Sequence, residues 1–377
     1  MFKPKFSSIS MQCQFRPPYC PNSQCSYHSL STEDRSFYCG DGWQETSSFP
    51  FKNRRFKCKR CGKKFSYNTF QLNYRKRLDS NLYDYILHHS VQGLSNRSMA
   101  RFLKVAEGSV RARIALLSRQ AILQMRVRER DLIIKEEIVY DGFETFQYSQ
   151  YDPCHVNTAV GKDSFFQYDL NYAPLNRKGC MTPAQKLEND RQLEIYGKYP
   201  SDAIEEKTII LFKRLLLRSK NGLLICCDKH SAYQRAADKV GHSLRLSLTS
   251  SKELRDASNP LFAINHLHFT YRQHTAAHQR QTCSFHKNEA GLMDRMILFQ
   301  LFKNYMVPRF VRKNAFIKNA HTESPAMALK LVDKLMSVDE FYSKRLMSGH
   351  AELSQDDYRI YYKKWEFSRR KIISYRE

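Results

Sequence analysis

Hydrophobic spacing changes twice along the chain. Short aromatic runs, Phe37-Tyr38 and Phe49-Pro50-Phe51, are separated by Gly and Ser and predict brief strands near the N-terminus. From Asp79 the period becomes helical. Leu82, Tyr85, Ile86 and His89 share one face of a first helix, and Ser95 can cap a second with Met99, Phe102 and Leu103 turned inward. After a turn at Lys104-Val105-Ala106, a third helix begins near Glu107, with Val110, Ile114 and Leu117 on one side and Arg111, Arg113 and Arg119 on others.

Beyond Arg130, apolar strand-like runs alternate with helices, which predicts an α/β domain. Residues 133–140 form a run that ends in Asp141; residues 156–160 and 164–172, joined by Gly161-Lys162-Asp163, predict a hairpin. A long polar stretch at 176–199 precedes an amphipathic helix through Ile204, Ile209, Leu211, Leu215 and Leu216, and a buried strand at 223–227 ends in Asp228. A further helix at about 260–277 places Asn265, His268, Phe269 and Arg272 on one face.

Composition narrows the class. With 377 residues, 42% of them hydrophobic and 13% aromatic, the chain can build two or three packed cores, so disorder is excluded as its main state. No run approaches the roughly 18 apolar residues of a membrane helix, and the first residues lack a signal peptide's apolar core, which predicts an intracellular protein with no membrane partner. The net charge of +25 is concentrated: residues 1–50 are neutral, residues 51–130 carry +16 and the remaining residues +9. Such a density suits a polyanion, because each phosphate neutralised by Lys or Arg releases condensed counterions.

Cysteine positions separate two roles. Cys13, Cys20, Cys25, Cys39, Cys58 and Cys61 crowd the first 61 residues, whereas Cys154, Cys180, Cys226, Cys227 and Cys283 are dispersed as ordinary small buried side chains are. Cys58-Lys59-Arg60-Cys61-Gly62 has the form of a metal knuckle, two thiolates two residues apart followed by a Gly that relaxes the turn. Cys20 and Cys25 are the expected partner pair, with Cys13 or Cys39 as possible replacements; four thiolates would make a closed structural Zn²⁺ site. The helices after this module have the length and turn of a helix-turn-helix, on which Ser109, Arg111 and Arg113 would approach the DNA major groove. In the α/β region, Asp141 and Asp228 each follow an apolar strand. That position lies at a sheet's rim, where two carboxylates and a third oxygen ligand such as Asn265 can hold Mg²⁺ or Mn²⁺ for phosphodiester chemistry.

Several passages, in order, resemble insertion-sequence transposases with a DDE-type, RNase H-like catalytic domain. Tyr19-Cys20-Pro21-Asn22 and Arg55-Phe56-Lys57-Cys58-Lys59-Arg60-Cys61-Gly62-Lys63-Lys64-Phe65-Ser66 are similar to their zinc ribbon, and Leu94-Ser95-Asn96-Arg97-Ser98-Met99-Ala100-Arg101 to the opening of their helix-turn-helix. Tyr140-Asp141-Gly142-Phe143-Glu144-Thr145-Phe146 resembles the first catalytic aspartate block, and Cys227-Asp228-Lys229-His230-Ser231-Ala232-Tyr233 the second. Ile264-Asn265-His266 resembles the third, followed by Arg272 and by Arg280-Gln281-Thr282-Cys283-Ser284-Phe285-His286-Lys287; Ser324-Pro325-Ala326-Met327 is similar to a passage near the end of such proteins.

The resemblance spans about residues 19–345 and implies a zinc ribbon at 1–70, a helix-turn-helix DNA-binding domain at 71–130, an RNase H-like mixed sheet flanked by helices at 131–310 and a basic C-terminal tail at 311–377. It implies a transposase of bacterial or archaeal cytoplasm, nucleoid-associated, acting as a dimer or larger assembly on double-stranded DNA at element ends and target. In those roles Asp141, Asp228 and Asn265 hold the catalytic magnesium, Arg272, Arg280 and Lys287 hold phosphates, and cleavage is followed by strand transfer. The wider group has Glu where Asn265 stands, although some relatives carry Asn followed by His; Glu144 or His266 would then supplement the ligands, with Glu289 a more distant substitute. The competing expectation is a transposase-derived DNA-binding regulator without catalysis.

Overall fold

The computed structural model describes residues 9–29, 35–46, 51–72, 74, 82–250, 252–280, 282–313 and 317–364. A short helix α1 (Ile9–Gln14) leads into a three-stranded antiparallel sheet of β1 (Tyr38–Glu45), β2 (Lys52–Cys58) and β3 (Lys64–Ser66), in the order β1-β2-β3. Tyr38 does open a strand, but the second begins at Lys52, after Phe51 at φ +55°; Phe49 and Pro50 lie outside the described residues. This ribbon has its own small core of Tyr19, Phe37, Phe56, Phe65 and Phe70.

Helices α2 (Leu82–Val91), α3 (Asn96–Leu103) and α4 (Glu107–Arg128) form where expected, but the buried face of α2 is Tyr83, Ile86, Leu87 and Val91. Phe102, expected inward, is exposed and stacks on the half-buried Tyr85 ring at 4.8 Å. Ser95 caps α3 by accepting the Ser98 N–H at 3.1 Å, and Lys104, in the left-handed region at φ +54°, ends it. These helices share one continuous hydrophobic cluster with the region that follows, from Tyr83 through to Ile360. Packing therefore makes no division near residue 130.

The central sheet holds β4 (Ile138–Phe146), β5 (Pro153–Gly161), β6 (Gln167–Pro174), β7 (Leu223–Asp228) and β8 (Leu244–Thr249), in the order β6-β5-β4-β7-β8. The pairs β4–β5 and β5–β6 are antiparallel, whereas β4–β7 and β7–β8 are parallel. An antiparallel meander thus shares its first strand with a parallel pair. Between β6 and β7 lie α5 (Pro183–Tyr196) and α6 (Ala203–Leu217); α7 (Ser231–Val240) joins β7 to β8. Then come α8 (Phe262–His274), α9 (Glu289–Leu301) running into a π-turn at Phe302–Met306, and the short α10 (Pro325–Ala328), α11 (Val338–Phe341) and α12 (Gln355–Tyr362).

Alternation along β4 sorts the layers. Tyr140 packs on Phe212 of α6 and Tyr233 of α7, while Phe143 packs on Tyr271 of α8, so helices cover both faces. Arg214 of α6 lies between Asp169 of β6, at 2.7 and 2.9 Å, and Asp356 of α12. Beside it Arg126 of α4 is bidentate to Asp357 at 2.9 and 3.0 Å. Helix α12 is therefore docked by buried charge. Lys363 bonds Asp294 and Lys364 the Tyr358 hydroxyl, while Arg369, Arg370 and Lys371 lie outside the described residues.

Candidate metal centres and the carboxylate site

The four expected thiols converge. Cys20 and Cys61 sulfurs are 3.5 Å apart, Cys25 and Cys58 3.9 Å, and all four lie within 4.8 Å of one another. A tetrahedron with 2.3 Å Zn–S bonds has edges of about 3.8 Å, so the set fits one such ion. The knuckle is built by backbone: Gly62 N–H bonds the Cys58 carbonyl at 3.0 Å, Cys58 N–H bonds the Lys63 carbonyl at 2.9 Å, and Gly62 takes φ +71°. Crowding divides the thiols. Burial pushes Cys20 and Cys25 up; burial acts the same way on Cys61, but the Lys63 backbone N–H and the Asn22 side chain outweigh it and hold Cys61 down at about 7. Cys13 and Cys39 are exposed and outside this set. Among the dispersed cysteines Cys154, Cys226 and Cys227 are buried as expected, but Cys180 and Cys283 are exposed on loops.

On the helical unit the three candidates separate. Arg111 is exposed and Ser109 half-buried, but Arg113 is 5% exposed with its guanidinium 5.9 Å from the Tyr83 ring centre, so it packs between helices instead of facing a groove. The helical period explains this: Arg113 follows Val110 by three residues and precedes Leu117 by four, on the same inward face. Arg97, Arg101 and Lys104 of the preceding helix and turn are exposed as well, with Arg97 paired to Glu107 at 3.2 Å.

In the central sheet, Ile138 pairs with Ile225 and Val139 with Cys226, and the same offset sets Asp141 level with Asp228 on the neighbouring strand. Asp228 ends β7 as expected, whereas Asp141 is the fourth of nine residues in β4, well inside the strand. The reason is register. Asp141 pairs with Thr158 of β5, and the ladder continues to Phe146 opposite Pro153.

Asp141 is held from several sides. One oxygen accepts the Gly142 N–H at 2.7 Å and the Tyr233 hydroxyl at 3.4 Å; Nδ1 of His268 approaches the other at 3.7 Å. The Thr158 hydroxyl lies 3.0 Å from the Asp141 carbonyl and 2.9 Å from Nε2 of His268. When Thr158 donates to that carbonyl, Nε2 must carry the ring proton, leaving Nδ1 bare toward the carboxylate. Burial, then the nearby Asp228, raises Asp141 to about 7, while burial, with the charge of Arg272, lowers His268 to about 3. Two carboxylates thus share one locality, each disfavouring the other's ionisation. Among the described residues the cysteine set is the only group of three or more Cys, His, Asp or Glu whose ligand atoms gather closely enough to hold one ion.

Asn265 lies one turn before His268 on the same face of α8, half-buried. His266 faces elsewhere, 4.7 Å from the Phe310 ring and lowered to about 4 by burial and by Lys303, away from the carboxylates. Glu289 is buried at the start of α9, where the Tyr148 hydroxyl reaches it at 3.5 Å beyond the end of β4. Of the three expected phosphate ligands, Arg280 and Lys287 are exposed. Arg272 is half-buried, with its guanidinium 4.7 Å from the Phe143 ring centre and donating to the His278 carbonyl at 2.9 Å.

Thr158, Tyr233 and His155 complete the surroundings and were not singled out in the sequence. His155, lowered to about 3 by burial and then by the charge of His230, sits over Gly142 and meets the Tyr233 hydroxyl at 3.3 Å. A Cβ on Gly142 would lie 1.3 Å from its Nε2. The Gly after Asp141 is therefore the signal that could have marked a close approach here.

The chain matches no protein-family model and no curated protein. Among the described residues no helix is long and apolar enough to cross a membrane.

Proposed function

We propose that the protein is a transposase with an RNase H-like core, which binds DNA ends and cuts and joins strands with the help of divalent cations. The observation that carries this reading is the pair Asp141 and Asp228, level on the two central strands, one of them raised to about 7 by burial and by the other. An antiparallel meander sharing its first strand with a parallel pair, flanked by helices and bearing acids at adjoining central positions, is the layout such a core calls for. Asp141 and Asp228 would hold the cations and Asn265 would complete the set. The chemistry supplied by Mg²⁺ there is activation of water or of a DNA 3′-hydroxyl and stabilisation of the leaving oxygen.

The chain's own groups have distinct tasks. Thr158 and His268 orient Asp141, Tyr233 donates to its carboxylate, and Arg272 braces Phe143 behind it. Exposed Arg280 and Lys287 are placed to take phosphates. The cysteine cluster supports a structural Zn²⁺ in the ribbon, and the exposed cations Arg97, Arg101, Lys104 and Arg111 of the helical unit support duplex binding. Two ends must meet for strand transfer, so the acting form is a dimer or larger.

The test is a strand-cleavage assay on DNA flanking the encoding gene, with and without Mg²⁺, wild type beside Asp228→Ala. Metal-dependent nicks at discrete ends, lost in the variant while binding persists, are the expected result. Nicks that survive in Asp228→Ala would overturn the site. Specific binding without nicks would favour the regulator, with the neutral Asn265 as the first suspect.

A further inference from the structure

Beyond the carboxylates, β4 runs into a cleft of about 600 Å³ that shares Arg280 with the phosphate-binding groups named above and is otherwise unassigned. Its wall begins at Glu144 and continues to Phe146, which at about 3.3 Å per strand residue lie about 10 and 17 Å along the strand from Asp141. Phe146 meets Phe285 edge-on, their ring centres 6.1 Å apart, and both rings are half-buried. Around them stand three cations, Arg177, Lys178 and Arg280, of which Lys178 and Arg280 are exposed.

The placement of these cations has a structural cause. The excursion between β6 and α6 is closed at its base by Asn176, whose side chain donates to the Tyr199 carbonyl at 2.8 Å and accepts the Tyr199 N–H at 3.0 Å. Arg177 follows directly and is anchored on the Tyr151 ring, its guanidinium 4.9 Å from the ring centre, with a bond to the Gln150 carbonyl at 3.3 Å. The long polar segment is therefore pinned so that its first two cations line the cleft, while Arg280 enters from the loop after α8.

Aromatic faces beside cations are what an unpaired nucleotide requires: a π-surface for the base and fixed positive charge for its phosphates. We propose that this cleft takes an unpaired nucleotide of a DNA strand, held near Phe285 with its flanking phosphates on Lys178 and Arg280, a few nucleotides from the bond that is cut. The choice of DNA rests on the transposase reading; the cleft's selectivity for nucleoside phosphates does not. Glu144 at the inner edge disfavours a phosphate there and so orients the strand, with its base inward and its backbone toward the cations.

The experiment titrates a single-stranded hexadeoxynucleotide carrying 2-aminopurine into full-length Asp228→Ala protein, followed by fluorescence. The comparison variants add Phe285→Leu, which keeps apolar volume, or Lys178→Gln with Arg280→Gln. The expected results are an affinity loss of about tenfold for Phe285→Leu and a salt dependence shallower by about 1.4 in log–log slope for the double Gln variant. Unchanged binding in Phe285→Leu, or no binding of the hexamer to the parent protein, would overturn the proposal. So would equal affinity for free 2-aminopurine deoxynucleotide, which would make the occupant a free nucleotide. If nicking is never found but Phe285→Leu still weakens the hexamer, the transposase reading fails and the cleft stands. Nicking with no effect of Phe285→Leu on binding sinks the cleft alone.

Discussion

Replacing Asp141 by Asn should stabilise the cation-free protein, and by an amount that grows with pH. The carboxyl is raised from 3.8 to about 7, chiefly by burial and then by Asp228. At about 1.4 kcal/mol per unit, that corresponds to about 4 kcal/mol of penalty when the group is ionised in the fold. The Asp141 side chain keeps 27% of its exposure, so water screens part of this and roughly 2–4 kcal/mol is expected. The sign follows from the direction of the shift. A folded pKa above the unfolded one means that the folded state holds the proton more tightly; the penalty is absent below about pH 4, develops as pH rises, and is complete above about pH 7. Asn, isosteric and uncharged, should match wild type at pH 4 and exceed it by several degrees in Tm at pH 8. Thermal unfolding followed by circular dichroism is the assay, in buffer freed of divalent cations by resin, because a chelator would also strip the thiolate site. Added Mg²⁺ should raise wild type and narrow the gap. Equal Tm at pH 8, or a gap the same at both pH values, would refute the argument.

Three further outcomes are expected. Purified protein should contain close to one Zn²⁺ per chain by elemental analysis, and Cys58→Ser with Cys61→Ser should lose both the metal and sequence-selective DNA binding; a metal-free protein that still selects its ends would contradict this. Gly142→Ala should destabilise by about 2 kcal/mol in urea titration, because the new Cβ would occupy the site of the His155 ring, and adding His155→Ala should recover most of the loss. Arg214→Met leaves Asp169 and Asp356 buried without their shared partner and should cost about 3–5 kcal/mol, little changed by salt; a loss under 1 kcal/mol, or one that salt abolishes, would mean the triad is not buried as described.

Local signals carried the helical unit well. Apolar spacing, the Ser95 cap and the turn at Lys104 all act within a few residues, so α2 to α4 lie where the pattern predicts. They also carried the ribbon's thiols, whose spacing is itself the chemistry. Strand β4 was harder. The apolar run before Asp141 predicts a strand ending there, yet pairing begins only at Ile138 and runs on to Phe146, because Phe143 finds Tyr271 and Gly142 makes room for His155. Strand β8 has the alternation Leu-Arg-Leu-Ser-Leu-Thr, and α5 the capping box of Thr182 with Gln185 behind Pro183, so both were within reach of pattern. What no window contains is the meeting of Asp141 with Asp228, of Thr158 with His268, or of Arg214 with Asp356. Those depend on register and on layers assembled from distant segments. The inward turn of Arg113 is a milder case, since its position on the apolar face could have been weighed against its charge.

One region ties the two ends of this architecture together. The Arg345 backbone and side chain bond the Phe70 and Thr69 carbonyls at 3.1 and 3.0 Å, and its own carbonyl accepts the Tyr19 hydroxyl. His350 meets the His28 carbonyl at 2.8 Å, and Gln120 exchanges two bonds with Leu346 at 2.8 and 2.9 Å. The clasp that seats the ribbon against the long helix α4 is therefore made more than 300 residues after Tyr19 leaves the ribosome. Translation order has a mechanical result: the ribbon's core can close early, but its orientation stays unset until residues 345–350 emerge, so any product truncated before them carries an unanchored ribbon.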